Sequence, residues 1–206
     1  ALGFDTIHAT PHQRAGMFLP SREAIDGALE TVRTRARDAH PGLTIGVAAE
    51  NFWDDVFHER LSGTGLPTYP GGKAFLFEVP PQSMPPRIEE MLFRIRVTGR
   101  LPVMAHPERY VAVQEDVGRA ESIGRTAALL VDLAAVDGAF GRAQMKTARK
   151  LLEEGLVHAV ASDVHSPDDQ KAVAGGMAWI RKRLGEDALE RLLAENPRLI
   201  LAGSLP

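Results

Sequence analysis

The runs LTIGVAAE (43–50), AFLFEVP (74–80), LPVMAH (101–106), TAALLVDL (126–133) and VHAVA (157–161) limit the fold more than any other feature of the chain. None alternates apolar with polar residues, so neither face of such a strand is made for water. Strands buried on both faces belong in a parallel sheet covered by helices. The segments between them carry helical patterns. Ser21 reads as the N-cap of a helix running to about residue 39, with Ala24, Ile25, Ala28, Leu29 and Val32 on its apolar face. Further helices are predicted over 88–98, 117–123, 140–154, 167–184 and 186–194, and 51–65 reads as a helical turn and a loop. With DTIHAT (5–10) as the first strand, six strands alternate with helices within a single domain over 1–206. An open α/β sheet and a barrel both satisfy this order, and both place a site at the carboxyl ends of the strands.

Those ends share a chemistry. The first strand leads to His12, the second ends in Glu50, the third in Glu78, the fourth in His106 followed by Pro107, Glu108 and Arg109, and the sixth in Asp163 and His165. The fifth ends near Asp132 with no obvious pair. On an extended chain Asp163 and His165, two residues apart, point to the same side. One histidine at a strand end is more often structural than functional, but successive strands delivering histidine or carboxylate to one edge are not independent accidents. Histidine with carboxylate suits Zn²⁺, Mn²⁺ or Fe²⁺. Three histidines and three carboxylates exceed the needs of one ion, so a centre of two or three metals is expected. Such centres serve phosphate ester hydrolysis. Arg109 is placed to hold a phosphate bidentately, with Arg14 a second candidate. His8, His40, His58 and His158 read as structural, and Trp53 and Phe57 as core.

Other classes are excluded. The chain has no cysteine, which removes disulfides, thiolate zinc sites and a cysteine nucleophile. No GxGxxG or Walker loop is present. With net charge −3 and no polybasic tract, nucleic acid is not an expected partner. No apolar run reaches the roughly 18–20 residues of a membrane span, and no signal peptide is recognised, so a cytoplasmic protein is expected.

The segments TPHQRAGMF, GVAAE, FLFE, VMAHPERY, ASDVH and ENPRLIL occur in this order. Together they resemble, over essentially the whole chain, the metal-dependent protein-tyrosine phosphatases of bacterial capsule and exopolysaccharide operons, within the polymerase-and-histidinol-phosphatase (PHP) superfamily. The resemblance implies a distorted (β/α)₇ barrel with His12, Glu50, Glu78, His106, Asp163 and His165 as metal ligands. It implies catalytic roles for Arg109 and Asp163, with Arg109 on the substrate phosphate, and Mn²⁺ as the activating ion. The implied substrate is phosphotyrosine on the tail of a bacterial tyrosine autokinase. Two departures stand out. The family begins with a strand carrying an HxH pair, which this chain lacks. Ala1-Leu2-Gly3 reads as the last turn of a helix, so the first strand and most of the first helix are expected to be missing, fewer metals to bind, and a homo-oligomer to cover the exposed edges. The family also often places an arginine after SDxH. Here Asp168, Asp169, Gln170 and Lys171 follow, leaving Lys171 as the substitute charge. The alternatives are a PHP phosphoesterase for a small molecule such as histidinol phosphate, and a fragment with impaired catalysis.

Overall fold

The computed structural model describes residues 2–63 and 65–206. Its first two strand regions are each bent into two pieces. β1 (Thr6–Ala9) and β2 (His12–Gln13) flank Thr10-Pro11, while β3 (Thr44–Val47) and β4 (Glu50–Phe52) flank two alanines. Pro11 has no N–H to give to a ladder. The bend is bridged instead by Ala48 N–H donating to Ala9 O at 2.9 Å and Glu50 N–H donating to Pro11 O at 3.1 Å. β5 (Ala74–Glu78), β6 (Leu101–Ala105), β7 (Ala128–Asp132) and β8 (Ala159–Ala161) follow. The sheet order is β2-β4-β5-β6-β7-β8, with β1-β3 as a two-stranded extension, and every pairing is parallel.

The order is sequential, so each crossover steps to the next strand in one direction. Among the described residues no ladder joins β8 to β2, and these two strands are the edges of an open sheet. The expected parallel α/β architecture is present; the strand pairing that closes a barrel is not. Ala1 lies outside the described residues. Gly3 has φ +88° and lies in no described helix.

The helices are α1 (Arg22–Ala39), α2 (Asp55–Ser62), α3 (Ile88–Val97), α4 (Val111–Glu115), α5 (Gly118–Gly124), α6 (Leu133–Asp137), α7 (Arg142–Glu153), α8 (Gln170–Leu184), α9 (Glu186–Glu190) and α10 (Asn196–Leu201). Short 3₁₀ turns occupy Pro107–Arg109 and Pro167–Asp169, and a π-helical turn spans Arg191–Glu195. None of these helices is long and apolar enough to cross a membrane. α7 begins two residues later than its pattern predicts, because Gly141 (φ +103°) turns the chain before it. α10 was not predicted; the chain runs on through the π turn, with Pro197 at a first-turn position that needs no N–H.

Alternate strand residues serve two cores. Phe75, Phe77, Met104, Leu129 and Val131 point to the helix layer and meet Leu92, Ile123, Leu151 and Ile180. Trp53 and Phe57 join them, as expected. Ala74, Leu76, Val103, Ala105, Ala128 and Ala159 face the opposite side with Ile200. His158 is structural: its Nδ1 accepts from Leu129 N–H at 3.0 Å, its carbonyl accepts from Asn196 Nδ2 at 2.7 Å, and burial lowers its pKa.

The apolar face of α1 is not part of either core. Ser21 caps α1 through Ala24 N–H at 3.2 Å, but no α1 residue is buried. Its apolar face instead lines a cavity of about 840 Å³, opposite Leu76, Val103 and Leu130. His8, read as structural from the sequence, packs on β3. It half-faces the same cavity, stands edge-on to Tyr69 at 5.7 Å, and fills the space where Gly46 has no Cβ.

Tyr110 fastens the site end of the sheet. Its buried hydroxyl donates to Ala105 O at 2.9 Å and accepts from Val79 N–H at 3.3 Å, joining the ends of β6 and β5. Tyr110→Phe leaves both backbone groups without that partner. The expected loss is about 1–3 kcal/mol of unfolding free energy, measured by urea denaturation. A loss below a few tenths of a kcal/mol removes this role.

Candidate metal centre

Parallel register brings the polar strand ends together. His12 pairs with Glu50 across β2-β4, and Phe52 with Glu78 across β4-β5. Glu50, 4% exposed, is shared by two imidazoles: Oε2 lies 2.8 Å from His12 Nδ1 and Oε1 lies 3.0 Å from His106 Nε2. Glu78 faces the same nitrogens at 3.9 Å and 3.6 Å. One donor atom from each of His12, Glu50 and Glu78 lies within 4.8 Å of the others. A divalent ion bonded at about 2.1 Å holds two donors no more than about 4.2 Å apart, so a small inward movement suffices. Imidazole nitrogen with carboxylate oxygen suits Mn²⁺, Fe²⁺ or Zn²⁺.

The electrostatics are those of two carboxylates competing for two imidazoles. Burial alone raises Glu50, but the hydrogen bonds from His106 and His12 outweigh it and hold the carboxyl at about 2. Glu78 is pushed up, by burial first and by the Glu50 charge second. His12 is raised by its bond to Glu50. His106 is raised too: its burial acts the other way, and the Glu50 contact overcomes it. A bound cation removes the repulsion between Glu50 and Glu78 that Glu78 now expresses as a raised pKa.

A second group adjoins the first. Arg109 Nη2 is shared between Asp132 Oδ2 at 2.5 Å and Asp163 Oδ2 at 2.7 Å. Arg109 Nε is buried with no partner. Asp132 also caps α6 by accepting from Ala134 N–H at 2.7 Å. Beneath them Glu108 is completely buried; burial pushes its carboxyl up to about 7. Its Oε1 accepts from Asp132 N–H at 3.4 Å, and Oε2 has no protein partner.

The six expected ligands are therefore not one cluster in this structure. His12, Glu50, Glu78 and His106 converge, while Asp163 and His165 stand beside them. Asp163 gives its carboxylate to Arg109. His165 has a 62% exposed side chain, stacks on His12 at 5.8 Å, and places Nδ1 2.9 Å from Asp163 O. The extended i, i+2 geometry expected for the pair is wrong. β8 ends at Ala161, and Asp163 has φ +42°. His106 has φ +35°. Non-glycine residues in this region store about 1–3 kcal/mol each and concentrate at functional sites. Among the described residues only Arg87 joins them.

Of the phosphate candidates, Arg14 lies 4.0 Å over the Phe52 ring, and its charge lowers Glu78. Lys171 is exposed on the first turn of α8, with no ion pair among the described residues. Asp132 and Glu108 were not singled out from the sequence. Asp132 had a visible signal, since it too ends an apolar strand.

A parallel α/β sheet whose carboxyl edge gathers histidines, carboxylates and a guanidinium defines a class of metal-site α/β proteins. Residues 2–202 match the family described as capsular polysaccharide synthesis, CpsB/CapC, and the chain belongs to that family. It is 30% identical over 210 residues to the tyrosine-protein phosphatase CpsB of Streptococcus pneumoniae, covering 98% of this chain and 86% of that protein. It is 26% identical to the tyrosine-protein phosphatase YwqE of Bacillus subtilis (strain 168), covering 97% and 79%. The fold is similar to a chain from the crystal structures of YwqE and S. pneumoniae CpsB, described as unique metal-dependent tyrosine phosphatases. The TM-score is 0.87 at 25% identity, over 98% of this chain and 83% of that one.

The shifts fix a pH window for the metal-free protein. Glu50 is lowered, so its contribution is complete above its ordinary 4.5 and is lost as pH falls toward 2. His12 and His106 are raised, so theirs is complete below 6.5 and is lost as pH rises through the raised values. In chelator-treated protein the Tm gap between wild type and Glu50→Gln is expected to be widest from pH 4.5 to 6.5. A gap that keeps widening above about pH 8 contradicts this.

Proposed function

We propose that the chain is a metal-dependent protein-tyrosine phosphatase of capsular or exopolysaccharide synthesis, acting in the cytoplasm on the phosphotyrosine tail of a tyrosine autokinase. The observation that carries the reading is Glu50, buried between His12 and His106, with Glu78 on the same nitrogens and Arg109 in the adjoining ion-pair group. The names of the relatives point the same way.

His12, Glu50, Glu78 and His106 would hold the ion, and Asp163 and His165 are the next candidates beside them. Mn²⁺ is the proposed ion. When bound it supplies Lewis acidity toward water and toward the phosphate oxygens. Everything else falls to the chain's own groups. Arg109 neutralises the equatorial oxygens of the phosphate as charge builds on them. Its buried, unpartnered Nε is a donor in need of an acceptor. The Phe140 ring, 4.5 Å from Arg109 Cζ, covers one face of the guanidinium and leaves its edges to donate. With no cysteine in the chain, the reading needs no thiolate nucleophile or cysteinyl-phosphate intermediate.

Purified protein is expected to hydrolyse p-nitrophenyl phosphate and a phosphotyrosine peptide with Mn²⁺, to stop on chelation, and to recover when Mn²⁺ is restored. Full turnover in excess chelator, or in His106→Ala, sinks the proposal. Arg109→Lys keeps the charge but loses the planar fork, and a fall in kcat/KM of about a hundredfold is expected. A change under about threefold removes Arg109 from the phosphate.

A further inference from the structure

In a chain of net charge −3, α7 is basic: it carries Arg142, Lys146, Arg149 and Lys150 against one acid, Glu153. Three of these charges are engaged. Arg149 donates to Val136 O at 3.0 Å and lies 5.1 Å over the Trp179 ring. Lys150 pairs with Glu154 at 3.8 Å, and Glu153 with Arg183 at 2.6 Å. Arg142 and Lys146 are exposed and have no side-chain ion pair or hydrogen bond among the described residues. They stand one turn apart on the helix, where like charges repel. Both line a groove of about 540 Å³ between α7 and α4, with Ala143, Thr147 and Gln114. Ala143 is small, and the Thr147 hydroxyl is turned back to Ala143 O at 3.0 Å, so neither fills the space between the two cations. Gln114, on the α4 side, is fixed by its Nε2 donating to Glu108 O at 2.9 Å. The acids that follow it, Glu115 and Asp116, do not line the groove, and Asp116 accepts from Gly118 N–H at 2.9 Å. The groove adjoins the metal centre through both walls. Glu108, which holds Gln114, precedes Arg109, and Phe140, 4.5 Å from Arg109 Cζ, stands two residues before Arg142. The Pro107–Arg109 turn also packs directly on α7.

We propose that the groove between α4 and α7 is a docking subsite for an acidic side chain of the substrate peptide, with Arg142 and Lys146 holding a carboxylate a few residues along the chain from the phosphorylated residue. The inference rests on the phosphatase reading, which places the phosphate at Arg109. The reach is right. Phe140 touches the Arg109 guanidinium, and two steps of at most about 3.8 Å lead from it to Arg142. An extended peptide advances about 3.3 Å per residue, so a carboxylate roughly two to five residues from the phosphorylated one arrives at the groove. The charge is right as well. A guanidinium fork and an ammonium facing one space suit a carboxylate. The strand-end centre itself gathers Glu50, Glu78, Asp132 and Asp163, so that edge repels any further acid on the peptide. The groove is the neighbouring place where such an acid is welcome. It therefore selects which sequence around the phosphate is held, and takes no part in the chemistry.

The test is binding to the Mn²⁺-loaded protein without turnover, read by fluorescence anisotropy. The probes are labelled peptides with a central phosphonomethyl-phenylalanine, a mimic that cannot be hydrolysed, and with glutamate, alanine or lysine about two to five residues away on either side. The unaltered protein is expected to bind the glutamate peptide about three- to tenfold tighter than the alanine peptide, by a margin that shrinks as salt is raised. The double variant Arg142→Gln/Lys146→Gln is expected to close that gap, and Arg142→Glu/Lys146→Glu to make the lysine peptide the tighter ligand. Both side chains are exposed, so Tm should hold, and kcat/KM for p-nitrophenyl phosphate, which is too short to reach the groove, should stay within about twofold. No glutamate preference in the unaltered protein overturns the inference, and so does a preference that survives charge reversal. A loss shared equally by all three peptides overturns it too, because the variants then act through Arg109. Failure of the phosphatase reading looks different: the glutamate preference and its reversal persist, but no phosphate monoester is hydrolysed.

Discussion

The Glu50 carboxylate, held between His12 and His106, is the contact on which the site end of the molecule depends. A buried carboxylate without partners is too costly to stay ionised. Here two imidazoles supply the compensation, and they come from strands on opposite sides: His12 from β2, His106 from the end of β6. The arrangement requires that all strands run the same way, so that their ends meet at one edge. It also requires that β6 reverse sharply, which His106 does at φ +35°. That strain is sustained by its neighbours. His106 N–H donates to Leu130 O at 2.8 Å, and the Tyr110 hydroxyl holds Ala105 O and Val79 N–H just behind it.

The parallel sheet and its polar edge were legible because they follow from pattern alone. Continuous apolar runs from AFLFE to VHAVA have only one economical arrangement, and in it strand ends share an edge. Glu50, Glu78 and His106 needed nothing further to be found. What failed to show was anything set by a turn. Asp163 and His165 look like an extended pair in sequence, but a left-handed residue at 163 replaces that geometry with a local contact. Glu108 looks like a solvated glutamate inside HPERY. Its burial comes from a 3₁₀ turn that packs against α7, which no periodicity announces. The apolar face of α1 reads as core by spacing, yet spacing says nothing about whether a partner surface closes on it, and here it borders a cavity.

Charge around Arg109 determines what the site has to give up. Glu50, Glu78, Asp132 and Asp163 all lie near the place where a phosphate dianion would have to sit, with Glu108 buried beneath. Without a cation that density repels the substrate, which is the electrostatic reason a metal and a phosphate belong to the same site. Arg109 cannot attract phosphate freely while one nitrogen serves two carboxylates. The two are not equal competitors. Asp132 is 2% exposed and tied by its other oxygen to Ala134 N–H. Asp163 has a 24% exposed side chain, sits on strained backbone, and makes its only side-chain hydrogen bond to Arg109 among the described residues. On the proposed reading Asp163 yields, turning toward the histidine-carboxylate centre as Arg109 turns to the phosphate. Asp132 stays and keeps the guanidinium aimed. The two aspartates then have different jobs despite sharing one Arg109 nitrogen: Asp132 anchors Arg109, and Asp163 exchanges it.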